Sequence, residues 1–260
     1  MATGSFVTQN YSRSQSEVSR DLHRRVFLKN SGGARKSKLV SSGNTIEFMF
    51  EDTKTLCDVL QRGCRISDNG RSYGWRNSVS DTSYTWINYK QFIKRAENFS
   101  SGLLKIRLKQ GQSTYVGIYS SSCLEYAITQ HGCWCQSMII IPLYDTLGPA
   151  ASSFIIKQAE IETVICDTED KVQRLISKRK EIPTLKHIIM VNDELGEKNP
   201  ADKLLPSPSD ICLVCYTSGT TGDPKGALVT HGNIVSVLSS INIFMVSFSE
   251  WIRYCLLLFR

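Results

Sequence analysis

Ten consecutive residues, Thr217-Ser218-Gly219-Thr220-Thr221-Gly222-Asp223-Pro224-Lys225-Gly226, combine hydroxyl side chains, three glycines and a lysine. That set suits an anion with several oxygens. Glycines let the backbone come close and aim its N–H groups, hydroxyls donate further hydrogen bonds, and the lysine supplies charge. The apolar run Ile211-Cys212-Leu213-Val214-Cys215-Tyr216 ahead of it predicts a buried parallel strand. Thr230 and His231 open a stretch predicted to be helical from Asn233 to about Ser240. Strand, glycine-rich loop and helix together make a phosphate cradle. The spacing is not that of the common P-loop, because Lys225 is followed by Gly226 rather than by a hydroxyl residue. Pro224 keeps Asp223 extended, so no helix starts at the lysine. Hydroxyls and backbone must therefore wrap the phosphates. The plain alternative, a flexible surface turn, needs far fewer such residues.

Elements able to position this loop alternate along the chain. Strands are predicted at Tyr84–Tyr89, Tyr115–Tyr119, Met138–Pro142, Thr163–Cys166 and His187–Val191. Helices are predicted at about Lys90–Lys109, Leu124–Gln136, Ala150–Ala159 and Glu169–Lys180. Residues 192–210 are polar and proline-bearing and read as a loop into the signature strand. Strand–helix alternation at this spacing predicts an α/β fold, a parallel sheet with βαβ crossovers. In such sheets ligands bind beyond the C-terminal ends of the strands, where the signature loop lies.

The loop resembles the signature of the adenylate-forming enzymes, which activate a carboxylate with ATP as an acyl-adenylate. Further segments resemble the long-chain fatty acyl-CoA synthetases: Pro142-Leu143-Tyr144-Asp145-Thr146-Leu147-Gly148, Gln61-Arg62-Gly63 with Ser67-Asp68-Asn69-Gly70, and Gly132-Cys133 with Ser137-Met138. Lys225-Gly226-Ala227, Val229-Thr230-His231 and Asn233-Ile234-Val235-Ser236 fit as well, so the resemblance runs from about Arg35 to about Ser240. It implies a partial N-terminal domain of an adenylate-forming enzyme, with fatty acid, ATP and CoA as substrates and Mg²⁺ as the accompanying metal. It also implies that Thr217, Ser218, Gly219, Thr220, Thr221, Gly222 and Lys225 bind the ATP phosphates. The family's catalytic lysine and magnesium carboxylate belong to downstream motifs that are not found here, so no catalytic or metal residue is assigned. Two alternatives stay open: a non-catalytic nucleotide-binding or regulatory fragment, and a ligase for another carboxylate. The resemblance places the protein on the cytoplasmic side, associated with the endoplasmic reticulum or outer mitochondrial membrane.

The 260 residues are 41% hydrophobic and 21% charged, as in a soluble globular protein. Residues 1–45 hold eight lysines and arginines against two acidic residues, so six of the seven net positive charges lie there. This Ser-rich segment is expected to be a mostly disordered, solvated tail, with contact to anionic lipid or nucleic acid as the alternative. The near-neutral remainder makes nucleic acid an unexpected partner. Nine cysteines without an export signal predict free thiols, and the four scattered histidines suggest no metal site. Three domains are expected: the basic segment 1–45, the AMP-binding portion 46–240, and a divergent apolar tail 241–260. The tail departs from the family pattern and is rich in Phe, Leu, Trp and Tyr, so it is expected to drive association.

Overall fold

The computed structural model describes residues 25–27, 35–37, 47–76, 78, 80–144, 146, 148, 150–191, 201–217 and 223–245. Most of the basic segment, the apolar tail beyond 245 and the loop residues Ser218–Gly222 lie outside them. The chain divides into two units. In the smaller, Met1–Met49 with Ser236–Leu258, the strands β1 (Arg25–Phe27) and β2 (Arg35–Ser37) pair antiparallel within the basic segment. The Met49 N–H donates to Ser239 Oγ at 3.0 Å in the same unit.

The larger unit, Phe50–Val235 with Phe259–Arg260, carries the sheet. Helix α1 (Leu56–Ile66) starts at a reciprocal cap, Thr55 with Asp58. A turn then leads to β3 (Arg71–Trp75), which pairs antiparallel with β4 (Thr85–Asn88). The resemblance segments at this point have structural work. Asp68 and Asn69 take positive φ (49° and 59°), a conformation that short polar side chains tolerate. A Cβ on Gly63 would stand 2.6 Å from the Tyr89 ring, so glycine makes room for it.

Helix α2 (Tyr89–Lys105) is capped by Asn88 with Gln91, and then the parallel core begins. Its strands are β5 (Tyr115–Tyr119), β6 (Ile139–Pro142), β7 (Thr163–Cys166), β8 (His187–Met190) and β9 (Ile211–Thr217). Three helices cross between them: α3 (Leu124–Trp134), α4 (Ala151–Gln158) and α5 (Glu169–Ser177). The sheet order is β10-β9-β6-β5-β7-β8, all parallel except β10 (Lys225–Thr230), which runs antiparallel to β9. The four residues of β6 and of β7 are all buried, as expected for strands covered on both faces. One face packs Ile139, Ile141 and Val164 against Ile155, Ile156 and Leu175 of α4 and α5. Residues of opposite pleat, such as Val116, Ile118 and Ile140, point the other way, toward the side where right-handed crossover puts α3.

Strand β10 has no counterpart among the strands expected from the sequence. The Lys-Gly-Ala-Leu-Val-Thr run pairs antiparallel with β9 along the sheet edge. Helix α6 (His231–Met245) therefore starts two residues earlier than expected, on a reciprocal cap between Thr230 and Asn233, and runs on past Ser240.

Gly132 on α3 sets the approach to α2. A Cβ there would lie 2.8 Å from Phe99 Cδ1 and 2.9 Å from the Ala96 carbonyl oxygen, and backbone cannot swing aside. Gly132→Ala is expected to cost about 1–3 kcal/mol, the usual price of overpacking, read as a lower urea midpoint at unchanged slope. An unchanged midpoint would show slack between the two helices.

Candidate functional site: a phosphate-loop hairpin at the strand ends

The strand that enters the signature loop is pinned at its start. The Ile211 N–H donates to Gln112 Oε1 at 2.7 Å, and Gln112 Nε2 returns a bond to the Ile211 carbonyl at 3.1 Å. The Asp210 carboxylate accepts from Ser137 Oγ and from the Ser207 N–H, both at 2.9 Å. One residue further on, Trp134 Nε1 donates to the Cys212 carbonyl at 2.9 Å. These bonds fix how far β9 reaches, so that Thr217 ends it at the C-terminal edge of the sheet.

There Thr217 pairs directly across from Lys225, and the exposed pair forms the base of the β9–β10 hairpin. Of the expected phosphate ligands, the structure brings these two together, while Ser218, Gly219, Thr220, Thr221 and Gly222 lie outside the described residues. Behind Lys225, Gly226 packs on Val214 and Tyr216, and a Cβ would come within 2.9 Å of Val214 Cγ1. The base of the hairpin is thus tied to the core through Tyr216.

Other strand ends share this edge. Tyr144, just after β6, and Tyr126, on α3, lie near Cys215, and burial pushes both phenols up. After β5 and β7, Ser121 and Asp167 meet: the Ser121 N–H donates to Asp167 Oδ2 and Lys171 Nζ to Asp167 Oδ1, each at 2.8 Å. Burial opposes the Asp167 charge, but the Lys171 ammonium and the Ser121 N–H outweigh it and hold the carboxyl below its ordinary value. Successive crossovers change direction here, since β6 lies on one side of β5 and β7 on the other. That is where an open α/β sheet forms its ligand crevice. Sequence reasoning missed this cluster. Its signal was present, in polar residues placed immediately after two apolar runs.

The start of α6 is docked by His231. Its backbone N–H donates to the Asp210 carbonyl at 3.0 Å, and its Nδ1 accepts from the Leu56 N–H at 3.3 Å. Its ring belongs to a buried aromatic row with Trp134, His131 and Phe92, successive centroids being 5.7, 5.0 and 5.0 Å apart. Burial lowers both histidines to about 4, for His231 against a partial counterweight from Asp210 and Asp58. Both rings are therefore neutral packing groups. Among the described residues, no group of three or more His, Cys, Asp or Glu could hold a metal, and all eight cysteines are free.

The model of the AMP-binding enzyme family matches residues 67–257. Long-chain-fatty-acid–CoA ligase 5 of Rattus norvegicus is 38% identical over 239 residues, covering 82% of this chain and 35% of that protein. Long-chain-fatty-acid–CoA ligase 1 of Homo sapiens is 35% identical, covering 83% of this chain and 34% of that protein. The chain thus spans about a third of the length of these curated relatives. In fold it is similar to a putative long-chain-fatty-acid CoA ligase from Rhodopseudomonas palustris, with a TM-score of 0.62 at 20% identity over 72% of this chain and 47% of that one. With a mostly parallel sheet and the family model covering most of its length, the chain belongs to the AMP-binding enzyme family.

Proposed function

We propose that this chain is the phosphate-gripping portion of a long-chain fatty acid–CoA ligase. The observation that carries the reading is the hairpin base, where Thr217 and Lys225 pair across β9 and β10 at the sheet's C-terminal edge. In the proposed reaction a fatty acid carboxylate oxygen attacks the ATP α-phosphorus and pyrophosphate leaves. The CoA thiolate then attacks the acyl carbonyl and AMP leaves. Two anions must meet in the first step, so the work of the protein is charge screening and positioning. Thr217, Ser218, Thr220 and Thr221 would donate hydroxyls to the departing phosphates. Gly219 and Gly222 would let the backbone approach, and Lys225 would supply a positive charge. Among the described residues no group of three or more His, Cys, Asp or Glu could hold Mg²⁺, so no residue of this chain is assigned to it.

The same reading puts the protein at the cytoplasmic face of an organelle membrane. No described helix is long and apolar enough to cross a bilayer.

The test is acyl-CoA formation by the protein that carries this chain, supplied with ATP, CoA and either palmitate or a short or aromatic acid. Palmitoyl-CoA with release of AMP and pyrophosphate is the expected product. Preference for a short or aromatic acid would make it a ligase for another carboxylate. ATP binding with no acid activated would leave a nucleotide-binding module.

A further inference from the structure

Away from the hairpin, the larger unit contains a cavity of about 180 Å³ lined by Cys57, Asp58, His131, Cys135 and Lys203, among others. Cys57 stands in the first turn of α1, and Cys135 closes α3 as its C-cap residue. Cys57 is buried and Cys135 is half-buried, so of the two thiols Cys135 lies nearer to solvent. Both side chains line the same cavity. The contact with Cys135, together with burial, keeps the proton on Cys57, and the Cys57 thiol in turn makes Cys135 the more acidic of the two. The Lys203 ammonium faces them and is itself held by an ion pair with Glu97. An accessible, acidified thiol with a second thiol in reach is the arrangement of a peroxide-reactive pair. By contrast, Cys133, Cys166 and Cys212 are kept protonated by burial, the first fully enclosed.

We propose that Cys57 and Cys135 form an oxidisable dithiol, a modification site for hydrogen peroxide that closes to an intramolecular disulfide. The Cys135 thiolate attacks one peroxide oxygen, the O–O bond breaks, and hydroxide leaves, giving a sulfenic acid. The Cys57 sulfur then displaces the sulfenic hydroxyl. The S–S bond forms, and the Cys57 proton leaves with that hydroxyl as water. Each thiol is oxidised by one electron and the peroxide is reduced by two. The bond staples the start of α1 to the end of α3 across the cavity. It does not depend on the ligase reading.

The reduced chain is treated with hydrogen peroxide at neutral pH, its remaining thiols are alkylated, and a digest is mapped by mass spectrometry. The expected result is loss of two hydrogens, reversed by dithiothreitol and carried by a cross-link between the Cys57 and Cys135 peptides. Cys135→Ser should abolish the cross-link, and Cys57→Ser should leave a sulfenic acid on Cys135 that dimedone traps. A cross-link joining other cysteines instead, or a Cys135 sulfenic acid in the unsubstituted chain that never passes to Cys57, would overturn the proposal. Because either variant could fail to fold, phenylarsine oxide is also added to the unsubstituted chain. One arsenic bridging both sulfurs is expected, and separate labelling of the two would overturn the pairing.

Discussion

Lys225→Ala, made in the protein that carries this chain, is expected to lower kcat/KM for ATP by about 10–150-fold, the value of one charge-assisted phosphate contact of roughly 1.5–3 kcal/mol. Lys225 is exposed at the first position of β10, opposite Thr217, and makes no core contact that its removal would cost. Thermal stability should therefore stay within experimental error of the unsubstituted protein. The loss should fall on the adenylation half-reaction, measured as fatty-acid-dependent ATP–pyrophosphate exchange. Chain-length preference should not move, since the substitution touches only phosphate binding. Lys225→Arg keeps the charge and should recover part of the rate, though not all, because a planar guanidinium replaces a compact ammonium. Wild-type kcat/KM for ATP in Lys225→Ala would mean that the hairpin grips something other than phosphate.

Acidification from pH 7.5 to pH 5 is expected to destabilise the chain by about 4 kcal/mol, about half of it through each of His131 and His231. At neutral pH both rings are uncharged whether the chain is folded or not, so neither contributes. Below their ordinary value of 6.5, the unfolded chain takes up two protons that the folded chain refuses until about pH 4, where burial has lowered both rings. Stability therefore falls as pH drops through the window from 6.5 to 4. Carboxylates do not confuse that window. Asp52, Asp167 and Asp210 have lowered values, so their contribution persists at pH 5 and is lost only below the ordinary value of 3.8. Trp134, wedged between the two imidazoles, gives a fluorescence signal for urea titrations at both pH values. His131→Phe, which keeps an aromatic ring against Phe92 and Trp134, should remove about half of the pH-dependent loss whatever it does to stability at pH 7.5. A variant with the full loss would move the titrating group elsewhere.

The central strands were legible in the sequence, two of them to the residue. Tyr115–Tyr119 and Thr163–Cys166 are short apolar runs bounded by polar residues, and a strand buried on both faces leaves no other mark. The helices between them were legible from apolar spacing, with ends drifting by up to about four residues because terminal turns fray. The ten-residue loop suggested phosphate binding because glycines, hydroxyls and a lysine in that order have few other uses, while Ser218–Gly222 themselves lie outside the described residues.

Three things were decided only by tertiary structure. Strand β10 exists because its backbone finds the free edge of β9. Its own residues, beginning Lys-Gly-Ala, carry no strand period, so pairing rather than propensity makes it a strand. The meeting of Ser121 with Asp167 depends on the sheet placing β7 beside β5 instead of beside β6, a matter of crossover direction that no local pattern encodes. Cys57, Cys135 and Lys203 come from a helix start, a helix end and a distant loop, and read singly each is a commonplace residue. Their closeness follows from packing that brings the start of α1, the end of α3 and the loop around one cavity, which a local reading of the chain cannot see. Local sequence determines which elements form and what a loop can hold. Which elements become neighbours is settled by burying their apolar faces together, a property of the whole chain.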